Sequence, residues 1–431
     1  MRWTRHESTQ IVIVMVLALV VRLAFIGNWQ RTHAPDPQHL EFPDSAGYWE
    51  LGKRLAAGEP YQVGSPDRRV FRTPGYPLLL AAMFRVVGQD ASPTSARVLG
   101  AMLGALTVGA VYWLARLMFG TRIAWLAAAI VAVFPESIAI SVVPLSDGPF
   151  CLWMVLQFAV WRWATRAATA SGAWAALAAG VLAGVATLTR PSWLLFTPLL
   201  VFVWIAQTRF DRRQVTLGVI MLAGLTVTMT PWWIYAHGVA RQFVATTLWV
   251  GPSLYDGFNP TANGGSDMRF VARYEAELRA ADAASPPHPG TPPFEVRFNR
   301  LMQDEALQWA KGHPRRVLEL AAIKLSRMWN IWPNERQFRS SWVRFVVFAT
   351  YTPLILLTMY GAWRFRAQQS DVLLLLLPAA YLSGLHAIFI GSLRYRQPAL
   401  VTIAILAAAA LLGLVDRIPI ARASTQQPAD Q

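Results

Sequence analysis

The chain has 431 residues, of which 55% are hydrophobic and 15% are charged, and its formal net charge is +15. This composition excludes an ordinary soluble enzyme and indicates a polytopic membrane protein. The excess arginines flank apolar segments, which favours membrane topology and anionic headgroups over nucleic acid as the reason for the charge. A single cysteine, Cys151, excludes a disulfide framework and a thiol metal site.

Ten segments are predicted to be membrane-spanning helices, for which about 20 apolar residues are needed. In chain order they are 10–26, 96–119, 122–137, 147–165, 172–188, 192–207, 214–236, 342–363, 371–390 and 398–415. The first has no small-residue cleavage site after it and is interpreted as a retained helix. Residues 74–88 are apolar but short, and they carry Arg85, so we expect them to lie at the interface.

The loop charges predict the orientation. With a cytoplasmic N-terminus, every inside connection is short and rich in arginine, as the positive-inside rule requires. We therefore predict a multi-pass protein of a bacterial inner membrane with both termini cytoplasmic. Its parts are an N-terminal catalytic module (1–236) with a first outer loop (27–95), a large periplasmic loop (237–341), C-terminal helices (342–416) and a disordered cytoplasmic tail (417–431).

The first outer loop holds a predicted helix over residues 45–57, because Tyr48, Leu51 and Leu55 recur on one face and Gly58 ends it. Asp44 precedes this helix and has two compatible roles, a helix cap and a base that takes a proton from an attacking hydroxyl. For Arg72 the alternatives are an interface anchor and a contact to phosphate.

The second outer loop begins with residues 248–267, which are rich in Gly, Asn, Pro and aromatic residues and predict turns without regular elements. Tyr255, Asp256 and Asn259 are either contacts to an acceptor or parts of a plain surface loop. Two helices are predicted at 294–310 and 314–331, and the second is amphipathic and suited to lie on the membrane.

Five motifs occur in a characteristic order, and together they carry a family resemblance. They are "PDSAGYWELGKRLAAGEPY", "RTPGYPLLLAA", "PLSDGPF", "GVLAGVATLTRPS" and "SLRYRQPAL". The set resembles the membrane glycosyltransferases of family 39, which include protein O-mannosyltransferases and the lipid A aminoarabinose transferase and share the GT-C fold. The resemblance implies an all-α bundle, a polyprenyl-phosphate-linked sugar as donor, a site on the non-cytoplasmic face and inverting displacement.

The resemblance also implies site residues. A catalytic aspartate in the first outer loop matches Asp44, whereas the second acid that some members carry beside it is Ser45 here. A further acid before the fourth helix matches Asp147, with Glu136 as a nearby alternative, and a plain helix cap is the other interpretation of Asp147. If Asp44 and Asp147 face the donor phosphate together, their oxygens suit a bridging Mg²⁺ or Mn²⁺.

Basic residues on the outer side oppose the positive-inside trend and are candidates for binding the donor. Arginine donates two parallel hydrogen bonds to phosphate. Arg72, Arg190, Arg394 and Arg396, with Tyr395 between the last two, are therefore predicted to bind substrate, the alternative being that the arginines snorkel to the interface.

Two other residues within predicted spans have simpler interpretations. Arg22 is expected to snorkel or to pair internally. His386 faces either the site or a packed core, and the packed core is the favoured alternative.

Other activities remain as alternatives, namely a polysaccharide polymerase or ligase and a lipid or solute transporter. The chain shows no internal repeat of the kind common in transporters, and it has no glycine-rich nucleotide loop. The sequence leaves the sugar and the acceptor open, and glycolipid, glycan and protein acceptors are all compatible with it.

Overall fold

A computed structural model describes residues 4–33, 39–64, 68–333 and 340–416 of the protein. Over these residues the chain is all-α, as predicted, and its only β feature is an isolated bridge between Val63 and Arg68. The helices are α1 (Arg5–His33), α2 (Pro43–Ala57), α3 (Gly75–Val87), α4 (Pro93–Phe119), α5 (Thr121–Val133), α6 (Pro135–Val142), α7 (Asp147–Arg166), α8 (Thr169–Thr189), α9 (Phe196–Gln207), α10 (Arg212–Ala240), α11 (Val250–Gly257), α12 (Phe270–Ala284), α13 (Phe294–Gly312), α14 (Pro314–Met328), α15 (Ser341–Arg364), α16 (Gln369–Ile388) and α17 (Gln397–Val415). Short 3₁₀ turns precede α9 (Pro191–Trp193) and α17 (Leu393–Arg396).

Seven helices of the described chain are long and apolar enough to cross a membrane: α1, α4, α8, α10, α15, α16 and α17. The pair α5 and α6 makes an eighth candidate, with a bend of 60° at Phe134. The predicted count of ten spans is therefore not confirmed. Helix α9 has only 12 residues and rises about 18 Å, less than the thickness of a bilayer core. Helix α7 has 20 residues but carries charges at both ends.

The bend between α5 and α6 has a polar neighbour in α1. Pro135 opens α6 and cannot continue the backbone hydrogen bonds of α5. The Arg22 guanidinium is buried beside this break, where it donates to the carbonyls of Ala18 (3.0 Å) and Ala132 (3.1 Å) and to Ser141 Oγ (2.9 Å). Arg22 therefore pairs internally and does not snorkel, the second of its two predicted placements.

Small residues allow the long helices to approach closely. A Cβ atom built on Gly180 in α8 would lie 2.0 Å from the carbonyl oxygen of Met221 in α10, and one built on Gly224 would lie 2.5 Å from that of Leu177. Such contacts replace the hydrophobic driving force that helices in lipid lack. They join the middle of α8 to α10, and Arg190 follows the last residue of α8.

The segment predicted to be the first outer loop contains α2 and α3, packed against each other. Helix α2 begins two residues earlier than predicted and ends at Gly58, whose positive φ of 75° suits glycine. Tyr48 and Leu51 are buried on its inner face, in agreement with the predicted amphipathic pattern. Helix α3 begins at Gly75, where a Cβ would lie 2.6 Å from the backbone of Leu188, so the first outer loop sits directly against the end of α8.

The segment predicted to be the second outer loop contains α11 to α14. The prediction that residues 248–267 form only turns is wrong for Val250–Gly257, which is helical. This helix packs on α13, and Gly251 N–H donates to Asn299 Oδ1 at 2.8 Å. The predicted helices at 294–310 and 314–331 are found as α13 and α14, the latter ending three residues earlier. The predicted disordered tail, 417–431, lies outside the described residues.

Candidate active site

Asp44 is the second residue of α2, and its carboxylate points to two arginines. Its Oδ1 accepts a hydrogen bond from Arg72 Nη2 at 2.7 Å, and its Oδ2 accepts one from Arg394 Nη2 at 3.2 Å. Helix α2 begins without a side-chain cap, so the capping role considered for Asp44 is not found. The side chain is 36% exposed, which leaves the carboxylate accessible to a ligand.

Asp147 is the first residue of α7 and is completely buried. Its Oδ1 accepts a hydrogen bond from Arg190 Nη1, and its Oδ2 lies 3.1 Å from Arg394 Nε. Here too the helix start has no side-chain cap, so the capping interpretation of Asp147 is not found. The carboxylate oxygens of both acids therefore contact guanidinium groups and do not cap a helix.

Arg394 joins the two acids into one group. Its Nη2 contacts Asp44 and its Nε contacts Asp147, so one planar guanidinium spans both carboxylates. We name Asp44, Arg72, Asp147, Arg190 and Arg394 the acid–arginine cluster. Three cations facing two anions leave one net positive charge, which suits an anionic ligand. The cluster lies where α2 and α7 begin, where α8 has just ended, and in the turn before α17.

Tyr395 and His386 form an aromatic wall beside the cluster. The guanidinium carbons of Arg190 and Arg394 lie 5.2 Å and 5.3 Å from the centre of the Tyr395 ring. His386 stacks on that ring, with centres 4.0 Å apart and planes at 9°. His386 is buried, and of its two predicted placements it takes the one beside the site. Its Nδ1 lies 2.9 Å from the Ile390 carbonyl oxygen.

Arg396 does not join the cluster. Its guanidinium is fully buried and forms a two-bond ion pair with Glu136, with Nε 3.2 Å from Oε2. It also donates to the Asn330 carbonyl at 2.6 Å and lies 3.8 Å above the ring of Tyr351. Glu136 is occupied by this pair and by Gln397, so both residues stabilise the packing around the turn.

Several polar atoms of the site have spare hydrogen-bonding capacity. Arg72 Nε and Ser45 Oγ are buried without a hydrogen-bond partner among the described residues. Arg394 Nε and Asp147 Oδ2 make no well-aligned hydrogen bond, but they face each other at 3.1 Å as an ion pair. Buried polar atoms in folded proteins are nearly always satisfied, so these atoms suit partners that a bound ligand or water would supply. The combination of donors and acceptors matches a molecule that carries both a phosphate and hydroxyl groups.

The charges around Asp44 set its proton affinity. Burial by itself raises the pKa of Asp44, but the positive charges of Arg72 and Arg394, with a smaller effect from Arg190, outweigh it. The pKa of Asp44 is thus lower than that of an ordinary aspartate, and the carboxylate is ionised at neutral pH. Asp44 is ready to accept a proton, although these arginines weaken it as a base.

The residues do not fit the divalent cation predicted for the two acids. Within the described ranges, no group of three or more His, Cys, Asp and Glu side chains is arranged to hold a metal ion. Arg394 lies between Asp44 and Asp147, and Arg72 and Arg190 flank them. Mg²⁺ and Mn²⁺ need several oxygen ligands, whereas this pair offers guanidinium groups in the remaining directions.

The predictions from sequence did not include Tyr48 among the site residues, although it shapes the site. Tyr48 was assigned only to the apolar face of α2, but its hydroxyl lies 3.2 Å from Ser146 Oγ and thus links α2 to the start of α7. The Arg72 guanidinium lies 5.4 Å from the Tyr48 ring and 4.2 Å from the Phe71 ring. A tyrosine four residues after the candidate base is the signal that was available in the sequence.

The loop residues considered as acceptor contacts make bonds within their own loop. Asp256 accepts hydrogen bonds from Ser266 Oγ and from the backbone N–H of Asp267, each at 2.7 Å. Asn259 Nδ2 donates to the Tyr255 carbonyl at 2.8 Å. These residues stabilise the loop and have no contact with the acid–arginine cluster among the bonds of the described chain.

Comparison with known proteins supports the family resemblance in part of the chain. A family model described as dolichyl-phosphate-mannose-protein mannosyltransferase matches residues 83–245. This segment includes Asp147 and Arg190, and over it the resemblance predicted from the motifs is confirmed. No curated protein sequence matches the chain.

Solved structures share the fold at low sequence identity. The apo oligosaccharyltransferase of Archaeoglobus fulgidus matches 95% of this chain and 50% of its own, with 17% identity and a TM-score of 0.60. AglB from the same organism, in complex with an inhibitory peptide and a dolichol-phosphate, matches 96% of this chain and 50% of its own, with 13% identity and a TM-score of 0.58. ArnT from Cupriavidus metallidurans bound to undecaprenyl phosphate covers 95% of this chain and 78% of its own, with 17% identity and a TM-score of 0.48.

The chain therefore has the GT-C-like helical fold that the sequence predicted. It spans about half the length of the oligosaccharyltransferase chains it matches.

Proposed function

We propose that the protein is a membrane glycosyltransferase that moves a sugar from a polyprenyl-phosphate donor to an acceptor, with inverting displacement and Asp44 as general base. The observation that carries this proposal is the sharing of Arg394 by Asp44 and Asp147, with Arg72 and Arg190 beside them. A positively charged group of arginines next to an accessible carboxylate suits a donor with a phosphate leaving group and an acceptor with a proton to lose.

The arginines stabilise the leaving phosphate in this mechanism. Displacement at the anomeric carbon puts negative charge on the phosphate, and guanidinium groups bind that charge with paired hydrogen bonds. Arg72 retains an Nε without a hydrogen-bond partner among the described residues, so it has a donor to offer a phosphate oxygen. The Nε of Arg394 faces Asp147, and its Nη2 faces Asp44. Tyr395 supports Arg190 and Arg394 through its ring, and Asp147 holds both arginines in place.

Asp44 accepts the proton of the attacking group. When a phosphate binds Arg72 and Arg394, their attraction for the Asp44 carboxylate is shared with a second anion, and its proton affinity increases. Donor binding thus strengthens the base at the moment when it is needed. This coupling follows from the two hydrogen bonds that Asp44 accepts from those arginines.

The position of the cluster at one end of the bundle suits a lipid-linked donor. Apolar helices surround the site, so a polyprenyl chain can stay in the bilayer while its phosphate reaches the arginines. The loop charges favour the periplasmic side of a bacterial inner membrane for this end. The dolichol-phosphate complex of AglB supports a polyprenyl-phosphate partner for the shared fold. Glycolipid, glycan and protein acceptors all remain compatible with the exposed face of Asp44.

The test compares Asp44→Asn with Asp90→Asn, since Asp90 is an exposed residue of the same outer loop. Membranes containing each variant are analysed by mass spectrometry for lipid-linked sugars and for the glycosylated product. We expect Asp44→Asn to lose product by about a hundredfold or more and to accumulate donor, because general bases contribute about 10²–10⁴ in rate. Asp90→Asn retains activity.

Membrane insertion and amount of protein are measured in parallel. Unchanged product with Asp44→Asn at normal protein levels would contradict the proposal. Movement of a lipid or solute without any glycosyl transfer would instead favour the transporter interpretation.

A further inference from the structure

A helix of the second outer loop holds the turn that carries Arg394. We name residues 388–396 the arginine turn. Lys324 Nζ, on α14, donates to the Ile388 carbonyl at 2.6 Å, and Arg327 Nε donates to the Gly391 carbonyl at 3.3 Å. Gly391 N–H in turn donates to the Gly264 carbonyl at 2.8 Å. The beginning of the arginine turn is therefore fixed by the outer loop.

The far end of the arginine turn meets the same helix. Arg396 donates to the Asn330 carbonyl at 2.6 Å and lies 3.5 Å from that of Met328, the last residue of α14. Arg394 and Tyr395 therefore lie between two parts of the turn that are both hydrogen-bonded to α14 or to the residues just after it. Any displacement of α14 moves both side chains relative to Asp44 and Asp147.

Lys324 is an unusual residue for such an attachment. It is one of three lysines in the chain, and it is fully buried. Its ammonium lies 4.0 Å above the ring of Phe258, and among the described residues it forms no ion pair with a carboxylate within 4 Å. Burial lowers the pKa of Lys324 to about 8, despite an opposing influence of Asp256. A buried cation is costly, so a residue without a function in this place would be expected to be apolar.

The backbones of α14, α11 and the arginine turn are packed so closely that only glycine fits at two positions. A Cβ atom on Gly391 would lie 2.1 Å from the carbonyl oxygen of Lys324, and one on Gly257 would lie 2.5 Å from that of Phe389. Two glycines thus allow the backbones of α11, α14 and the arginine turn to touch. Because the backbones are in direct contact, a change at Lys324 is transmitted to the turn.

We propose that Lys324 is a positioning residue of the donor site, which holds the Ile388 carbonyl and thereby sets the position of Arg394 and Tyr395 against the donor phosphate. This inference rests on the proposed function, because it assigns the arginine turn to phosphate binding. It also gives the second outer loop a role, since α14 couples the folding of that loop to the affinity for the donor.

The test measures binding of undecaprenyl phosphate to the purified full-length protein in detergent, without an acceptor. The variants are Lys324→Met, which keeps the length of the side chain and removes its donor group, and Lys311→Met, which changes an exposed lysine of α13. We expect Lys324→Met to weaken binding about tenfold and Lys311→Met to leave it unchanged. Binding is measured well below the unfolding temperature of each variant, where a purely structural role would not change the dissociation constant.

Gly391→Ala disturbs the same contact from the other side and serves as a second variant if Lys324→Met does not fold. It should weaken binding in the same direction. Wild-type protein that binds the lipid, together with both variants binding it equally well, would overturn the positioning role and leave the proposed function intact. Wild-type protein that fails to bind undecaprenyl phosphate would instead contradict the proposed function.

Discussion

Arg394 donates a hydrogen bond to Asp44 at 3.2 Å, although 350 positions separate the two residues in the chain. The contact joins the first outer loop to the turn before the last helix. The same guanidinium reaches Asp147 at 3.1 Å. Both carboxylates therefore compete for one cation, and a phosphate ligand would enter that competition.

The central position of Arg394 predicts a loss of donor binding when it is replaced. Arg394→Gln should weaken the affinity for undecaprenyl phosphate by about ten- to a hundredfold, because charged hydrogen bonds contribute about 1.5–3 kcal/mol. Arg394→Lys should not restore it, since an ammonium cannot span two acids as a planar fork does. Arg85→Gln, at an exposed arginine of α3, is the control. Equal affinity of Arg394→Lys and wild type would argue against the fork geometry.

The lowered pKa of Asp44 predicts the acid side of the pH profile. Its carboxylate loses function only as it is protonated, and its pKa lies below the ordinary value of about 3.9. At donor concentrations well below KM, where the rate reports the donor-free protein, donor consumption should therefore show no loss from Asp44 as the pH falls from 7 to about 5. In Arg72→Gln, one of the two attractive charges is gone, so the acid limb should move to higher pH. Superimposable profiles would show that Arg72 does not control the base.

The pair of Arg396 and Glu136 predicts a stability effect. Glu136→Ala leaves the fully buried Arg396 without its carboxylate, and breaking a buried pair in this way costs about 3–5 kcal/mol. We expect a clear decrease in the thermal unfolding midpoint in detergent. The double variant Glu136→Leu with Arg396→Met removes both charges and should recover part of the loss. A single variant as stable as wild type would show that Arg396 finds another partner.

Glu295 predicts a pH-dependent contact between the two outer loops. It is buried in α13, its Oε2 accepts a hydrogen bond from the backbone N–H of Arg69 at 3.0 Å, and both its carboxylate oxygens accept from that of Val70. Burial raises the pKa of Glu295 to about 7, against the lowering effect of these backbone bonds. Because the folded-state pKa is above the unfolded value, its stabilising contribution is complete below about pH 4.5 and is lost as the pH rises through 7.

The measurement is the unfolding midpoint between pH 5 and pH 8. Wild-type protein should lose stability over this range, whereas Glu295→Gln, which keeps an acceptor but cannot ionise, should lose less. Glu277→Gln, at an exposed residue of α12, should follow the wild-type curve. Parallel curves for Glu295→Gln and wild type would assign the pH dependence to other groups.

Local patterns were sufficient for much of the architecture. Apolar runs predicted the helical bundle, the spacing of Tyr48, Leu51 and Gly58 predicted α2, and the amphipathic segment after Pro314 predicted α14. The predicted count of ten spans is not confirmed, because in the described chain α9 is short and α7 carries charges at both ends, so neither is among the seven or eight candidate spans. The helix at Val250–Gly257 was missed because its packing on α13 outweighs a composition typical of turns.

The sequence by itself determined which side chains were candidates, since a lone acid before a helix and arginines on the outer side stand out from their surroundings. Only the tertiary structure decided their partners. Arg394 and Arg396 are two residues apart and look equivalent in the motif, yet one faces the two acids and the other is buried on Glu136. The physical reason is that a tight 3₁₀ turn directs neighbouring side chains to different sides, and the elements that supply the carboxylates come from distant parts of the chain.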